Sequence, residues 1–170
     1  QGTTRQRKSQ APREMTMNDR SPKMLDDALI NTLGKVPLFA GLSRLQLIWL
    51  LSATSRVTVG ANQLYFDEGE SADSLYVFIG GEAVVEKRSN DGWQLLSTLK
   101  PGQTFGEMAI VDQLPRSARV RAVTNCLALN LKASRLESSP EVAAVIYRNI
   151  AAMQTMRLRA ANEALSSRPR

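Results

Sequence analysis

Histidine is absent from this chain of 170 residues, and cysteine occurs once, at Cys126. Without an imidazole the chain cannot build a Ser-His-Asp or Cys-His nucleophile or an HExxH metal site. One cysteine cannot form an internal disulfide, and without histidine it cannot complete a zinc site of the usual kind. These absences exclude large classes of hydrolase and make a metal site or a general base hard to build. We therefore expect a protein of a reducing, intracellular compartment that holds no metal and is not an enzyme.

Long apolar runs are also missing. The sequence has no stretch of about 18 apolar residues that could span a bilayer, and its polar, basic start does not resemble a signal peptide. The apolar fraction of 43% is ordinary for a globular protein. The sequence thus predicts one cytoplasmic domain with a core and without a membrane segment.

The formal charge of +6 lies at the two ends of the chain. Residues 1–23 carry a net +4 and residues 157–170 a net +3, which leaves −1 for the rest. Such basic ends suit solvated tails, contacts with an acidic partner, or nucleic-acid contacts. Because no winged helix-turn-helix pattern follows the last predicted helix, we expect no DNA binding by this chain alone.

The two ends of the chain flank a segment whose pattern of apolar residues is that of a folded domain. Residues 1–23 have few large apolar side chains and are predicted to be a disordered basic tail, and residues 166–170 a second tail. Helical spacing predicts a helix over Met24–Leu33, and Ser43 is a suitable N-cap for another that runs to about Ala53. The predicted domain covers residues 24–139, followed by a long helix over residues 140–165.

Short β-branched and aromatic runs, separated by turn residues every 8 to 12 positions, follow Ser55. This pattern is typical of an antiparallel sandwich or barrel. The predicted strands are Arg56–Val59, Gln63–Asp67, Leu75–Ile79, Ala83–Lys87, Gln94–Leu99, Ala118–Ala122 and Leu127–Leu131. The fold is predicted to be mainly β, a jelly-roll-like β-roll of about eight strands with short helices before it and one helix after it.

The segment from Phe105 to Ala122 has the residues of an anion site. Gly106 allows a close approach of the backbone, and the next residues can form one helical turn with free N–H groups. Arg116 can then neutralise an anion with a two-pronged contact. A carboxylate at Glu107 would repel a simple anion, but it suits a ligand that also offers a hydroxyl, such as a ribose 2′-OH.

This segment, FGEMAIVDQLPRSARVRA, resembles the phosphate-binding cassette of the cyclic-nucleotide-binding domain family. That family includes bacterial catabolite-activator-type regulators, protein kinase regulatory subunits and cyclic-nucleotide-gated channels. Supporting segments occur in the expected order, and the resemblance spans about residues 36–136. They are Pro37-Leu38-Phe39, Glu68-Gly69-Glu70, Ala72 to Val77, Gly81 and Pro101-Gly102.

The resemblance implies a set of ligand-binding residues. They are Phe105, Gly106, Glu107, Met108, Ala109, Arg116, Ser117 and Ala118. In this assignment Arg116 pairs with the cyclic phosphate and Glu107 accepts the ribose 2′-OH. The base-facing contact comes from the last helix in this family, and Arg157 is our candidate, with Arg159 behind it. Strand alternation predicts Arg119 on the outer face, opposite to Ala118.

The resemblance further implies a sensor domain that passes ligand occupancy on through its C-terminal helix. The preferred ligand is cAMP by family habit, although cGMP fits the same residues. That helix can also serve a homodimer or a partner protein. The alternative hypothesis is a domain that keeps the fold for interaction or dimerisation and has lost the ligand. The acidic residues Glu68, Glu70 and Asp73 do not have the spacing of a calcium loop.

Overall fold

The computed structural model describes residues 13–15 and 27–166. The helices are α1 (Asp27–Leu33), a 3₁₀ helix (Pro37–Phe39), α2 (Arg44–Ser52), α3 (Met108–Asp112), α4 (Ala133–Glu137) and α5 (Pro140–Ser166). The strands are β1 (Arg13–Met15), β2 (Ser55–Val59), β3 (Leu64–Phe66), β4 (Ser74–Gly80), β5 (Ala83–Ser89), β6 (Gly92–Leu99), β7 (Thr104–Phe105), β8 (Arg119–Ala122) and β9 (Cys126–Lys132).

These strands form two antiparallel sheets, with the orders β1-β2-β9-β4-β7 and β3-β8-β5-β6. The two sheets form the predicted β-roll around an apolar interior. Along the strands, inward-facing side chains alternate with outward-facing ones. On β8, for example, Val120 is 2% exposed and lies inside, whereas Arg119 and Arg121 lie on the outer face. The short helices before the roll and the long helix after it are also as predicted.

The seven predicted strands match β2 to β6, β8 and β9 to within two residues at each end. The sequence analysis did not predict β7, α4 or the helical form of Pro37–Phe39. The predicted basic tails lie outside the described residues, with two exceptions. Arg13–Met15 forms a strand that pairs with β2, and Ser166 is the last residue of α5. The first residues of the predicted helix over Met24–Leu33 are likewise not described.

Two apolar clusters hold the domain together. One fills the roll and contains an aromatic group in which the rings of Tyr76 and Phe105 stack with centroids 5.0 Å apart. The other joins the helices to the outside of the β4–β9 sheet and includes Leu50, Ile146 and Ile150, each at most 1% exposed. Burial of side chains of this size contributes about 1.5–3 kcal/mol each, so the helices are firmly packed against the roll.

Local signals fix the ends of the helices. The Ser43 side chain accepts a hydrogen bond from the Gln46 N–H, and the Gln46 side chain accepts one from the Ser43 N–H. This is the capping box that starts α2.

Asn149, in the middle of α5, attaches this helix to the 3₁₀ helix, because its side-chain amide donates to the carbonyls of Leu38 and Ala40 at 2.8 Å each. Among the described residues, no helix has a stretch apolar and long enough to cross a membrane.

Candidate functional site

The cassette lies between β7 and β8 and begins at a glycine with an unusual backbone. Gly106 has a φ of +75°, and a Cβ added there would lie 2.5 Å from the Nη1 atom of Arg116. Glycine is therefore required here by conformation and by space. The sequence analysis expected a ligand to approach this backbone, but the group that approaches it in the structure is the Arg116 guanidinium. The chain then turns through α3.

Arg116 is a buried cation beside the cavity described below. It is 5% exposed, its Nη1 donates to the Gly106 carbonyl at 2.7 Å, and its guanidinium carbon lies 4.0 Å from the ring centroid of Phe66. Within the described part of the chain, no carboxylate forms an ion pair with it, and its Nε has no hydrogen-bond partner. Glu107 and Arg116 therefore do not form a salt bridge with each other.

The backbone of Arg116 is fixed by the turn that follows β3. The Gly69 N–H donates to the Arg116 carbonyl, and the Arg116 N–H donates to the Glu70 carbonyl, both at 2.8 Å. The Glu68-Gly69-Glu70 segment of the sequence thus acts by positioning the arginine. The same turn is tied to β5, since the Glu68 carboxylate accepts from the Arg88 N–H at 2.8 Å.

The electrostatic setting of Arg116 favours an anion. Burial lowers the pKa of its guanidinium from the usual value, and the more distant Tyr76, Asp73 and Glu70 oppose this shift only in part. Desolvation of a cation is costly unless an opposite charge or hydrogen bonds compensate for it. An anionic group in the cavity would supply that compensation.

Glu107 is the second buried charge of the cassette, with 2% of its surface exposed. Its Oε1 accepts hydrogen bonds from Gln154 and from Arg157, both on α5, and Arg157 also donates to the Thr104 carbonyl at 3.3 Å. The carboxylate therefore connects the cassette directly to the C-terminal helix. The sequence analysis did not find Gln154, although its place three residues before Arg157 puts both on one helix face.

A cavity of about 360 Å³ lies between the cassette, β6 and α5. Its volume falls within the range of small-molecule sites. All nine residues assigned from the sequence line it, namely Phe105, Gly106, Glu107, Met108, Ala109, Arg116, Ser117, Ala118 and Arg157. The sequence analysis missed the lining residues Phe66, Val85, Leu96, Ser97, Thr98, Leu99, Gln103, Thr104 and Val120. Arg159 is not among the residues that line this cavity.

Two other arginines lie on the outer face of the four-stranded sheet, away from the cavity. Arg119 and Arg121 both donate to the Glu86 carboxylate at 2.8 Å, and the Arg119 guanidinium carbon lies 3.5 Å from the ring centroid of Trp93. Arg119 is therefore on the outer face, as predicted. On the same sheet Lys87 donates to the Ser117 carbonyl at 2.7 Å, which fixes the end of the cassette.

The described residues contain no group of three or more acidic, cysteine or histidine side chains that could hold a metal ion. In the cavity, the Arg116 guanidinium provides hydrogen-bond donors and a positive charge, and the Glu107 carboxylate provides acceptors. Within the residues that the structure describes, the fold and the site define a β-roll domain with a cavity lined by Arg116, a buried cation without a carboxylate partner.

Comparison with known proteins identifies the family. The sequence model of the cyclic nucleotide-binding domain matches residues 56–139. A cAMP-dependent protein kinase regulatory subunit from Yarrowia lipolytica is 36% identical over 92 residues, which cover 54% of this chain and 24% of that protein. A CRP-like cAMP-activated global transcriptional regulator from Mycobacterium tuberculosis is 29% identical over 139 residues, which cover 79% of this chain and 60% of that protein.

Solved structures agree with the family match. The N-terminal domain of a transcriptional regulator from Streptomyces coelicolor is 33% identical, with a TM-score of 0.64, over 79% of this chain and 94% of that one. The chain belongs to the cyclic nucleotide-binding domain family, whose members are regulatory domains. It spans 24% and 60% of the length of the two curated relatives.

Proposed function

We propose that this domain is a cytoplasmic, non-enzymatic receptor for a cyclic nucleotide, with cAMP as the preferred ligand. The observation that carries the proposal is Arg116, a guanidinium that is 5% exposed, lines the cavity and has no carboxylate partner in the described part of the chain. The choice of cAMP over cGMP is supported by the two curated relatives, whose names contain cAMP.

The cassette residues take distinct roles in this proposal. Arg116 pairs with the cyclic phosphate, and Glu107 accepts the ribose 2′-OH with the oxygen that α5 does not use. Phe105, Gly106, Met108, Ala109, Ser117 and Ala118 form the surrounding wall and supply backbone or hydroxyl contacts. Arg157, at the edge of the cavity, contacts the base. Three or four charge-assisted hydrogen bonds of about 1.5–3 kcal/mol each are sufficient for micromolar binding, about −8 kcal/mol.

Ligand occupancy is transmitted through Glu107. Its Oε1 already receives hydrogen bonds from Gln154 and Arg157 of α5, so a hydroxyl that binds the other oxygen of the same carboxylate realigns these donors. A ligand shifts a conformational equilibrium only by its difference in affinity for the two states. The contact of Glu107 with α5 supplies such a difference, and the output is a partner domain, a partner protein or a second subunit.

An interaction module without ligand is the second candidate. The observation that favours it is the same Glu107 carboxylate, because donors from its own chain already occupy one of its oxygens. Such a module would use the fold and α5 for docking only. The two candidates differ in one measurable property, the binding of a cyclic nucleotide.

Isothermal titration calorimetry of the whole chain with cAMP and with cGMP tests the proposal. The Arg116→Ala variant should bind about 30- to 150-fold more weakly, which corresponds to about 2–3 kcal/mol for a charged hydrogen-bonded contact. Arg116→Lys keeps the charge without the planar fork and should fall between the two. Arg119→Ala is the matched control, since Arg119 lies on the outer face of the next strand.

The folded state of each variant is checked by its thermal unfolding curve. Equal affinity of the wild type and Arg116→Ala would refute the assigned site. Absence of heat with both nucleotides for a folded wild-type chain would favour the interaction module instead.

A further inference from the structure

A second and larger cavity lies on the other side of Arg157. This cavity, which we call the α5 groove, has a volume of about 700 Å³, against about 360 Å³ for the cavity beside the cassette. It is lined by Thr32, Leu33, Lys35, Val36, Pro37, Phe78, Ile79, Pro101, Gly102, Gln103, Thr104, Met153, Met156 and Arg157. The groove thus runs between α5, the end of β4 and the segment that joins α1 to the 3₁₀ helix.

The chemistry of the groove is apolar and basic. Half of its fourteen lining residues are aliphatic, methionine or proline side chains, and Phe78 is aromatic. Among the described residues, the charged ones that line it are Lys35 and Arg157, without an aspartate or glutamate. Lys35 is exposed and forms no side-chain ion pair within the described residues, whereas Arg157 pairs with Glu107. We propose that the α5 groove binds an anionic amphiphile, a single acyl chain that ends in a carboxylate.

The walls of the groove suit such a ligand. Met153 and Met156 form the α5 side, and Met156 is 72% exposed. Methionine side chains are flexible and polarisable, so they adapt to an alkyl chain of variable shape. At the inner end lies Thr104, which lines both cavities and has a buried hydroxyl without a hydrogen-bond partner. In this proposal the alkyl chain lies along the methionines and the carboxylate pairs with Lys35.

A helix from a second copy of the chain is the alternative occupant. The free half of α5 carries exposed Leu158 and Leu165, so it could cover an apolar groove. That half of the helix, residues 157–166, carries Arg157, Arg159 and Glu163, however, and so would bring a net charge of +1 toward a groove whose charged lining residues are positive. Charge complementarity therefore favours an anion. The proposal does not depend on nucleotide binding at the cassette.

Calorimetric titration with sodium decanoate, kept below its micelle concentration, tests the proposal on the whole chain. Decyltrimethylammonium, which has the same alkyl chain and the opposite charge, is the probe for purely apolar binding. Decanoate should bind with a stoichiometry near one and about tenfold more tightly than the cation, since Lys35 attracts a carboxylate and repels the cation, while the charge of Arg157 is already paired with Glu107. The variants Lys35→Glu and Met156→Glu should each weaken decanoate binding by about five- to tenfold.

Two matched controls separate the groove from the surface in general. Leu158→Glu changes an exposed apolar residue of the same helix that does not line the groove, and Lys132→Glu reverses an exposed charge elsewhere. Both should leave decanoate affinity unchanged. The proposal is overturned if the two probes bind equally, or if the controls weaken binding as much as the groove variants. It is also overturned if decanoate does not bind and sedimentation velocity shows a dimer that Met156→Glu dissociates.

Discussion

The Arg157 guanidinium on α5 donates a hydrogen bond to the carboxylate of Glu107, the residue that precedes α3. The Glu107 side chain is 3% exposed and the Arg157 side chain 50% exposed, so a buried acceptor fixes a donor at the protein surface. The side chains from residue 155 to 166 on α5 are otherwise exposed. This ion pair, together with the Gln154 contact, attaches the second half of α5 to the cassette.

Removal of this attachment should loosen the end of α5. In the ligand-free Arg157→Ala variant, amide hydrogens of residues 154–166 should exchange about fivefold faster, since a half-exposed hydrogen bond to a charged group contributes about 1 kcal/mol. Hydrogen exchange followed by mass spectrometry measures this directly. The Arg159→Ala variant is the control, because Arg159 is exposed and lies outside both cavities. Equal exchange in wild type and Arg157→Ala would contradict the attachment.

Gly106→Ala should disturb the cassette in two ways. Alanine would have to adopt the left-handed backbone conformation of Gly106, which costs about 1 kcal/mol or more for a residue with a Cβ. The new Cβ would also lie 2.5 Å from the Arg116 guanidinium and collide with it. We expect a loss of about 2–4 kcal/mol in the free energy of unfolding, measured by urea denaturation. Cyclic-nucleotide binding should fall as well, because Arg116 would be displaced.

Gly102→Ala separates these two effects. Gly102 has a similar φ of +84°, but no atom lies within 4 Å of its added Cβ. Its loss of stability should therefore reflect the backbone alone and be about 1 kcal/mol. If the two alanine variants lost the same stability, the packing of Arg116 on Gly106 would not matter.

The cassette and most of the roll could be predicted from the sequence because their signals are local. Strand alternation, turn glycines and the Ser43 cap each depend on residues a few positions apart. The outward position of Arg119 followed from strand alternation alone. The nine cassette and helix residues assigned to a site all line one cavity. Eight of them belong to the contiguous segment that resembles the family's cassette, whereas no motif fixes Arg157.

Other features depend on contacts between distant parts of the chain. Gln154 donates a hydrogen bond to Glu107, which lies 47 positions earlier in the chain. No local sequence pattern distinguishes Gln154 from the other polar residues of α5. The strand β7 has two residues, too few to show a period of two. The α5 groove arises where α1, β4 and α5 meet, so its apolar side chains appear in the sequence as ordinary core residues.

Asn149 should be important for the stability of the domain. It is 8% exposed, and its side-chain amide donates to the carbonyls of Leu38 and Ala40. The Asn149→Ala variant leaves both carbonyls without this donor and should lose about 1–3 kcal/mol in the free energy of unfolding. Urea denaturation measures this value. Asn162→Ala, at an exposed site of the same helix, should change stability by no more than about 0.5 kcal/mol.

Because of Glu86, the stability of the roll should depend on pH in the acid range. Hydrogen bonds from Arg121 and then Arg119 hold the pKa of this carboxyl below its ordinary value of 4.5, although burial acts in the opposite direction. Because the folded-state pKa is the lower one, the stabilisation is complete above the unfolded-state value and is lost as the pH falls through the folded-state value. The Glu86→Gln variant should be about 1–2 kcal/mol less stable than wild type at neutral pH.

Urea denaturation at successively lower pH measures the difference in the free energy of unfolding between Glu86→Gln and wild type. This difference should shrink below about pH 4.5, because the wild-type carboxyl becomes protonated there. Glu82→Gln is the control, because Glu82 is exposed and its carboxylate forms no ion pair within the described residues. Its difference from wild type at neutral pH should be no more than about 0.5 kcal/mol. A Glu86→Gln difference that stayed constant from neutral to acid pH would contradict a stabilising role of the carboxylate charge toward Arg119 and Arg121.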